Sequence, residues 1–140
     1  MAVIDATNLV LGRMASVVAK KLLQGEKIDI VNSEKCTIVG AKKVVVAKFK
    51  KRTELAMKGN PRIGPKYPRM PHRIVKLAIR GMVPHKRERG REAMKRLKVH
   101  IGTPKELEKE KIETIDTAKV KQNESYVLVS EVSKQLGARW

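Results

Sequence analysis

The chain has 140 residues, 41% of them hydrophobic, and a formal net charge of +18 from 32 Lys and Arg against 14 Asp and Glu. This length suits one domain and this apolar share is enough for a core, so the composition excludes a disordered basic tail. A folded domain this basic repels itself unless an anion compensates, and nucleic acid is the commonest such anion. A single cysteine excludes an intramolecular disulfide, and no apolar run suits a signal peptide or a membrane span. We therefore expect a soluble, cytoplasmic protein.

The positive charge is concentrated in one part of the chain. Residues 1–40 have a net charge of +1 and residues 101–140 a net charge of 0, whereas residues 41–100 hold twenty Lys and Arg and three acids, a net charge of +17. A charged surface that serves only solubility usually mixes positive and negative residues. We interpret residues 41–100, the basic block, as a nucleic-acid-binding region of one 140-residue domain, followed by a neutral C-terminal segment.

The first forty residues predict a βαβ unit. Residues 3–5 are a short strand candidate, and residues 27–31 are a second one. Between them, apolar residues at i, i+4, i+7 and i+8 from Leu11 predict an amphipathic helix, which Gly25 closes as a C-terminal cap. Two strands joined by a helix over so short a distance are expected to be parallel, with a right-handed crossover.

Helices and a loop are predicted for the first part of the basic block. Residues 44–57 favour a helix because no turn signal interrupts the run, although the three valines at its start favour a strand. A proline-rich loop covers residues 59–68. Apolar residues from Ile74 to Met82 then follow helical spacing, and Gly81 and Pro84 are expected to stop this helix.

The rest of the chain alternates short elements. A second short helix around residues 93–97 leads into a strand at 97–101. Thr103 is a candidate N-cap for a charged helix over residues 105–111. Residues 112–125 are expected to be irregular, 126–129 to form a strand, and Ser130 to cap a last short helix.

Nucleotide-binding and metal-binding motifs are missing. The turn after the first strand lacks the G-x-G-x-x-G that lets a backbone approach a pyrophosphate. Residues 59–64 have the glycine spacing of a P-loop but not its Lys-Ser/Thr. His72, His85 and His100 have no Cys or Glu at ligand spacing, so we expect no metal.

Candidate catalytic groups are isolated. Asp5 and Glu34 are each expected at a strand end, but no His or Ser matches them. Cys36 is expected in the core rather than as a nucleophile. We predict no enzymatic activity and no cofactor.

Aromatic residues are too few for a base-stacking platform. They make up 3% of the chain, which favours phosphate-dominated recognition of structured nucleic acid by charge and shape. A DNA-binding protein shares the charge, but no groove-reading motif is visible. A nucleic-acid-processing enzyme needs a carboxylate cluster for its metals, and the basic block has three acids.

Two ordered blocks carry a resemblance to a known family. The first is VIDATNLVLGRMASVVAKKL with KIDIVNSEKCTIVGAKK, and the second is HRIVKLAIRGMVPHKRERGREAMKRLKVHIG. They resemble the universal large-subunit ribosomal protein family usually called L-thirteen. The tripeptide HKR at 85–87 and the C-terminal YVLVSEVSKQLG resemble its archaeal and eukaryotic branch. The matching positions are 3–6, 11–15, 31–35, 40, 79–84, 90–91 and 96–99.

The resemblance implies an α/β fold, a three-layer α/β/α single domain on a small, mostly parallel sheet with a basic helical and loop region. It also implies a structural constituent of the large ribosomal subunit that binds and stabilises large-subunit rRNA early in assembly, beside neighbouring ribosomal proteins. The family has no catalytic residues and no cofactor. Composition alone leaves open another structured-nucleic-acid-binding protein, of DNA or RNA, outside the ribosome.

The candidate rRNA-binding residues are cations of the basic block together with one arginine near the start of the first helix. Those near the turn at 81–84 are the principal candidates, because they cluster there. The full set is Arg13, Lys42, Lys43, Lys50, Lys51, Arg52, Arg62, Lys66, Arg69, Arg73, Arg80, His85, Lys86, Arg87, Arg89, Arg91, Lys95, Arg96 and Lys98.

Overall fold

A parallel sheet lies at the centre of the protein in a computed structural model that describes residues 1–55, 59–60, 62–108, 110–121 and 123–140. Short 3₁₀ turns at Ser33–Lys35 and Asp116–Ala118 supplement the regular elements. In chain order these are β1 (Ala2–Asp5), α1 (Leu11–Gln24), β2 (Ile28–Val31), β3 (Thr37–Val39), α2 (Lys42–Glu54), α3 (Pro71–Met82), α4 (Glu88–Lys95), β4 (Leu97–Val99), β5 (Ile112–Glu113), β6 (Tyr126–Leu128) and α5 (Val129–Gln135).

The main sheet has the strand order β4-β2-β1-β5, and its neighbouring strands are parallel. Ala2 stands opposite Ile28, so the predicted parallel βαβ unit is confirmed. A separate antiparallel pair joins β3 to β6 with Ile38 opposite Val127. The predicted α/β class on a mostly parallel sheet is therefore confirmed.

The predicted helix α1 follows from its apolar spacing. Met14, Val18 and Leu22 have no exposed surface and form one stripe against the sheet and α3. Gly25 ends the helix in the left-handed region with φ 104°, and its N–H donates to Leu22 O. The expected glycine cap is confirmed, since this conformation costs glycine least.

The helix α3 begins at Pro71, whose missing N–H costs nothing in a first turn. Its buried stripe is formed by Ile74, Val75 and Ile79, whereas Met82, the last residue of the predicted apolar spacing, is 44% exposed. The expectation that Gly81 stops the helix is wrong, because the helix continues to Met82. It ends at an extended Val83, the geometry that a following proline favours.

The predicted helix in the first part of the basic block is confirmed over Lys42–Glu54. Positions 56 and 57 of that prediction lie outside the described residues. Among the described residues of α2 only Val45 is buried, and Phe49 is half-buried beside it. The helix is therefore attached along a narrow strip, and most of its lysines face solvent.

A turn at residues 105–108, where the sequence predicts a helix, covers the second face of the sheet, the one opposite α1 and α3. Leu107, 6% exposed, packs against Val3 and Val31. Residues 105–108 form turns, and the N–H of Leu107 donates to Pro104 O at 2.9 Å. The helix prediction over 105–111 is wrong for the described residues, because one buried leucine does not make a helical stripe.

The C-terminal segment completes both sheets. Residues 112–125, expected to be irregular, contain β5, which pairs with β1. The predicted last strand and helix are confirmed as β6 and α5, but Ser130 lies inside α5 and Leu128 holds the N-cap position. Among the described residues no helix is long and apolar enough to cross a membrane.

Candidate nucleic-acid interface

One face of α3 carries three exposed cations at helical spacing. Arg73, Lys76 and Arg80 stand at i, i+3 and i+7. The other face is held in the core by Ile74, 4% exposed, and Ile79, which has no exposed surface. Because α3 packs along α1, the backbone that carries these cations is fixed before a ligand binds.

A second row of cations lies beside the first. Arg91 and Lys95 stand at i and i+4 on α4, and Lys98 follows on β4. An open groove of about 710 Å³ lies between the two rows. It adjoins a cleft of about 290 Å³, because Lys76 and Met94, among others, line both.

These two cavities form one channel, the α3–α4 groove. Seven Lys and Arg side chains line it, and no acid is among the described residues that do so. The complete lining is Lys66, Pro68, Arg73, Lys76, Leu77, Arg80, His85, Arg91, Met94, Lys95, Leu97 and Lys98. Uncompensated cations along both sides of a channel fit a polyanion.

Other candidates extend the basic surface away from the groove. Arg52 of α2 lies over the rings of both Phe49 and Tyr67, with its guanidinium carbon 5.8 Å from each ring centre. This cation–π arrangement joins α2 to the proline-rich loop. The exposed candidates on α2, in or next to the loop, and between α3 and α4 are Lys43, Lys50, Lys51, Arg62, Arg69, Lys86 and Arg87. Lys66 of the loop lies in the groove itself.

Some candidates are bound to the chain itself. Arg13 donates to Glu124 Oε1 at 2.6 Å and to Lys119 O at 3.2 Å. The hydrogen bond from Arg13 holds the pKa of the Glu124 carboxyl below its usual range. Arg13 therefore fastens the C-terminal segment to α1.

Three further candidates also have partners among the described residues. Arg89 donates to Leu23 O at 3.3 Å, and Arg96 donates to Leu22 O at 3.4 Å. Lys42 forms an ion pair with Glu131 at 2.8 Å. Arg89 and Arg96 thus close the C-terminal end of α1, where cations are favoured by the exposed carbonyls.

The sequence-based set of candidates omits Lys76, which lies between Arg73 and Arg80 in both parts of the groove. The sequence itself indicates the place of Lys76, because residues spaced i, i+3 and i+7 share one face of a helix. Trp140 is a packing residue in this arrangement. Its Nε1 donates to Ser133 Oγ at 3.1 Å, and that hydroxyl donates to Arg69 O at 2.8 Å.

A family comparison covers the whole basic block and most of the chain. The family model described as ribosomal protein L13 matches residues 1–106. The chain belongs to the ribosomal protein L13 family. The resemblance stated from its two sequence blocks is confirmed.

Individual L13 relatives match along almost the whole chain. The protein of Methanosphaera stadtmanae named large ribosomal subunit protein uL13 is 46% identical, covering 99% of this chain and 98% of that protein. The protein of that name from Methanosarcina barkeri is 44% identical with 100% of both covered, and that from Thermoplasma acidophilum is 40% identical with 98% of both covered. These relatives support the predicted archaeal type of the family.

Proteins of the L13 family are structural, non-enzymatic components of the ribosome. The prediction that this chain is not an enzyme is therefore confirmed. The carboxylates at the strand ends have structural partners here. Asp5 Oδ1 accepts from Thr7 N at 2.9 Å and from Asn32 Nδ2 at 3.0 Å. Burial raises the pKa of Asp5. A hydrogen bond from Thr7 Oγ1 at 2.7 Å, the two hydrogen bonds from Thr7 N and Asn32, and the charge of Lys35 together outweigh burial, so the pKa is lowered overall. Glu34 accepts from Gly102 N at 3.0 Å and fixes the loop after β4.

The Cys36 thiol and one ring nitrogen each of His72 and His100 are buried in this L13 protein. Burial raises the pKa of the Cys36 thiol to about 12, so the predicted core role is confirmed. His72 Nδ1 and His100 Nε2 are buried without a hydrogen-bond partner among the described residues. The described residues contain no group of three His, Cys, Asp or Glu that can hold a metal ion.

Proposed function

We propose that the protein is a structural constituent of the large ribosomal subunit that binds large-subunit rRNA through the α3–α4 groove. The observation that carries this proposal is the channel itself, lined by seven Lys and Arg with no described acid among its lining residues. Relatives that cover almost the whole chain are named large ribosomal subunit proteins, which supports large-subunit rRNA as the polyanion.

Binding in the groove relies on charge and on a fixed backbone. Arg73, Lys76 and Arg80 form one row of cations, and the row from α4 and β4 faces it. Each phosphate that these cations neutralise releases condensed counterions, which adds a favourable, salt-dependent term to binding. Arginine also presents two donors to one phosphate, so the rows fix the orientation of the RNA.

The basic surface of α2 extends the contact to a second RNA segment. Lys43, Lys50 and Lys51 project from a helix whose described residues bury only Val45. A domain held between two RNA segments screens their mutual repulsion and fixes their packing. This supports a role early in large-subunit assembly, when segments of rRNA first come together.

The neutral C-terminal segment serves chiefly to complete the fold. It supplies β5 and β6 to the two sheets, and Glu124 pairs with Arg13 of α1. Its exposed large apolar side chains, Ile112 at 40%, Tyr126 at 52% and Trp140 at 45%, are available to neighbouring ribosomal proteins.

The test compares two charge-matched triple variants. One replaces Lys76, Arg80 and Arg91 of the groove with Gln, and the control replaces the exposed Lys20, Lys27 and Lys105 with Gln. Affinity for large-subunit rRNA is measured between low and high KCl, with circular dichroism to check the fold. The salt slope is the slope of the logarithm of the affinity against the logarithm of the salt concentration. Each lost phosphate contact reduces its magnitude by roughly 0.7–0.9, so the slope of the groove variant should be shallower by about 2–3.

The control should retain almost the full slope. Equal losses in the two variants would mean that total charge, not the groove, governs binding. Sedimentation of a cell extract supplies the cellular readout, because the groove variant should be displaced from the large-subunit peak at lower salt than the control. A wild-type protein that does not accompany that peak, or that follows DNA, would contradict the proposed function.

A further inference from the structure

The floor of the α3–α4 groove is apolar, which a channel for phosphate alone does not need. Met94 and Leu97 lie between the two cation rows, and Leu77 lies at the narrow end. Leu97 is 2% exposed and belongs to the core. Met94 is half-buried, so one side of it packs against the core while the other remains open to the groove.

We infer that this floor seats the base of one unstacked nucleotide of the bound RNA, with its phosphates held by the cations on both sides. The inference rests on the proposed function and adds a specific ligand subsite to it. A base within a duplex has both faces covered by its neighbours, so only a bulged or looped nucleotide can place a face on the floor.

The size and chemistry of the groove suit this ligand. A volume of about 710 Å³ falls within the range of roughly 300–1,000 Å³ typical of small-ligand sites. No Phe, Tyr or Trp is among the described lining residues, but a thioether makes favourable contacts with an aromatic ring. Met94 therefore takes the place of the aromatic platform that single-strand binders use.

The positive charge of the groove argues against an alternative ligand, an apolar side chain of a neighbouring protein. Such a side chain would cover the floor but leave Lys76, Arg80 and Arg91 beside it without an anion. A nucleotide supplies an apolar face and a negative charge in one group, which matches both the floor and its sides.

The experiment uses two RNA hairpins of the same sequence, one of them with a single bulged adenosine in its stem. Affinities are measured for the full-length wild type, Met94→Ala and Met94→Leu. The wild type should prefer the bulged hairpin by roughly two- to tenfold, the range expected for a sulfur–aromatic contact. Met94→Ala should lose this preference, and Met94→Leu, which keeps the apolar volume but lacks the sulfur, should show a preference between those of the wild type and Met94→Ala.

The salt slope should be the same for all three proteins, because no cation is removed. Equal wild-type affinity for both hairpins, or a preference that persists in Met94→Ala, would overturn the inference while leaving rRNA binding intact. A wild type that binds neither hairpin nor rRNA would instead refute the proposed function. If Met94→Ala does not fold, Met94→Gln keeps the length of the side chain and replaces it in the comparison.

Discussion

Gly90 of α4 lies against the carbonyl group of Pro84, so closely that a Cβ at position 90 would collide with that oxygen and lie 2.9 Å from the nitrogen of His85. This approach lets the start of α4 fold back over the end of α3. As a result Arg91 and Lys95 stand across the groove from Arg80. The glycine thus sets the distance between the two cation rows of the proposed RNA site.

Gly90→Ala should destabilise the protein by about 1–3 kcal/mol, since the added methyl has to displace backbone atoms. Gly81→Ala is the matched control, because no described atom lies within 4 Å of a Cβ there and the residue is in a helix. It should be neutral or stabilising by up to ~1 kcal/mol. Urea unfolding measures both, and similar losses would contradict the close approach.

The fold could be predicted where local patterns coincide with tertiary contacts. Helix α1 has a long stripe of buried residues and a glycine cap, so its sequence alone defines it. Strand β5 has two residues, both exposed, and exists only because β1 offers its edge. Such pairing depends on residues more than a hundred positions away, and no local periodicity reports it.

The candidate site could be predicted as a region but not residue by residue. Net charge identifies the basic block, because clustered cations need an anion wherever they lie in the fold. Whether one cation is free for RNA depends on the fold. Arg13 is bound to Glu124, a residue 111 positions away, whereas Lys76 is brought into the centre of the groove.

Leu107→Ala should destabilise the protein by about 2–5 kcal/mol, because Leu107 covers Val3 and Val31 on the second face of the sheet. Leu55→Ala is the control, since Leu55 is 49% exposed and should change stability by less than ~0.5 kcal/mol. The free energies come from urea unfolding of both variants. A small effect at Leu107 would mean that the turn at 105–108 contributes little to the core.

Arg13 is expected to act in the fold rather than in RNA binding. Arg13→Gln and Glu124→Gln should each loosen the C-terminal segment. The double variant should loosen it little more than either single variant, because each single change already removes the same ion pair. Hydrogen exchange of residues 119–121 and 123–124 reports the loosening. Affinity for rRNA should fall less in Arg13→Gln than in Arg80→Gln. A larger loss in Arg13→Gln would assign Arg13 to the RNA surface.

His72 should make stability depend on pH. Burial, followed by the charges of Arg73, Lys76 and His100, lowers the pKa of His72 below its ordinary 6.5. The unfolded chain therefore binds the proton more readily than the folded one, and the free energy of unfolding should fall as the pH drops below 6.5. The loss is complete once the pH is below the folded-state pKa, because both states are then protonated.

His72→Gln should flatten this fall in urea unfolding measured from pH 7.5 downwards, since glutamine does not titrate. His85→Gln removes another imidazole from the same region and should leave the contribution of His72 in place. A steep fall that persists in His72→Gln would assign the pH dependence to another group. If the pH dependence disappears only in His72→Gln, the imidazole of His72 is its source.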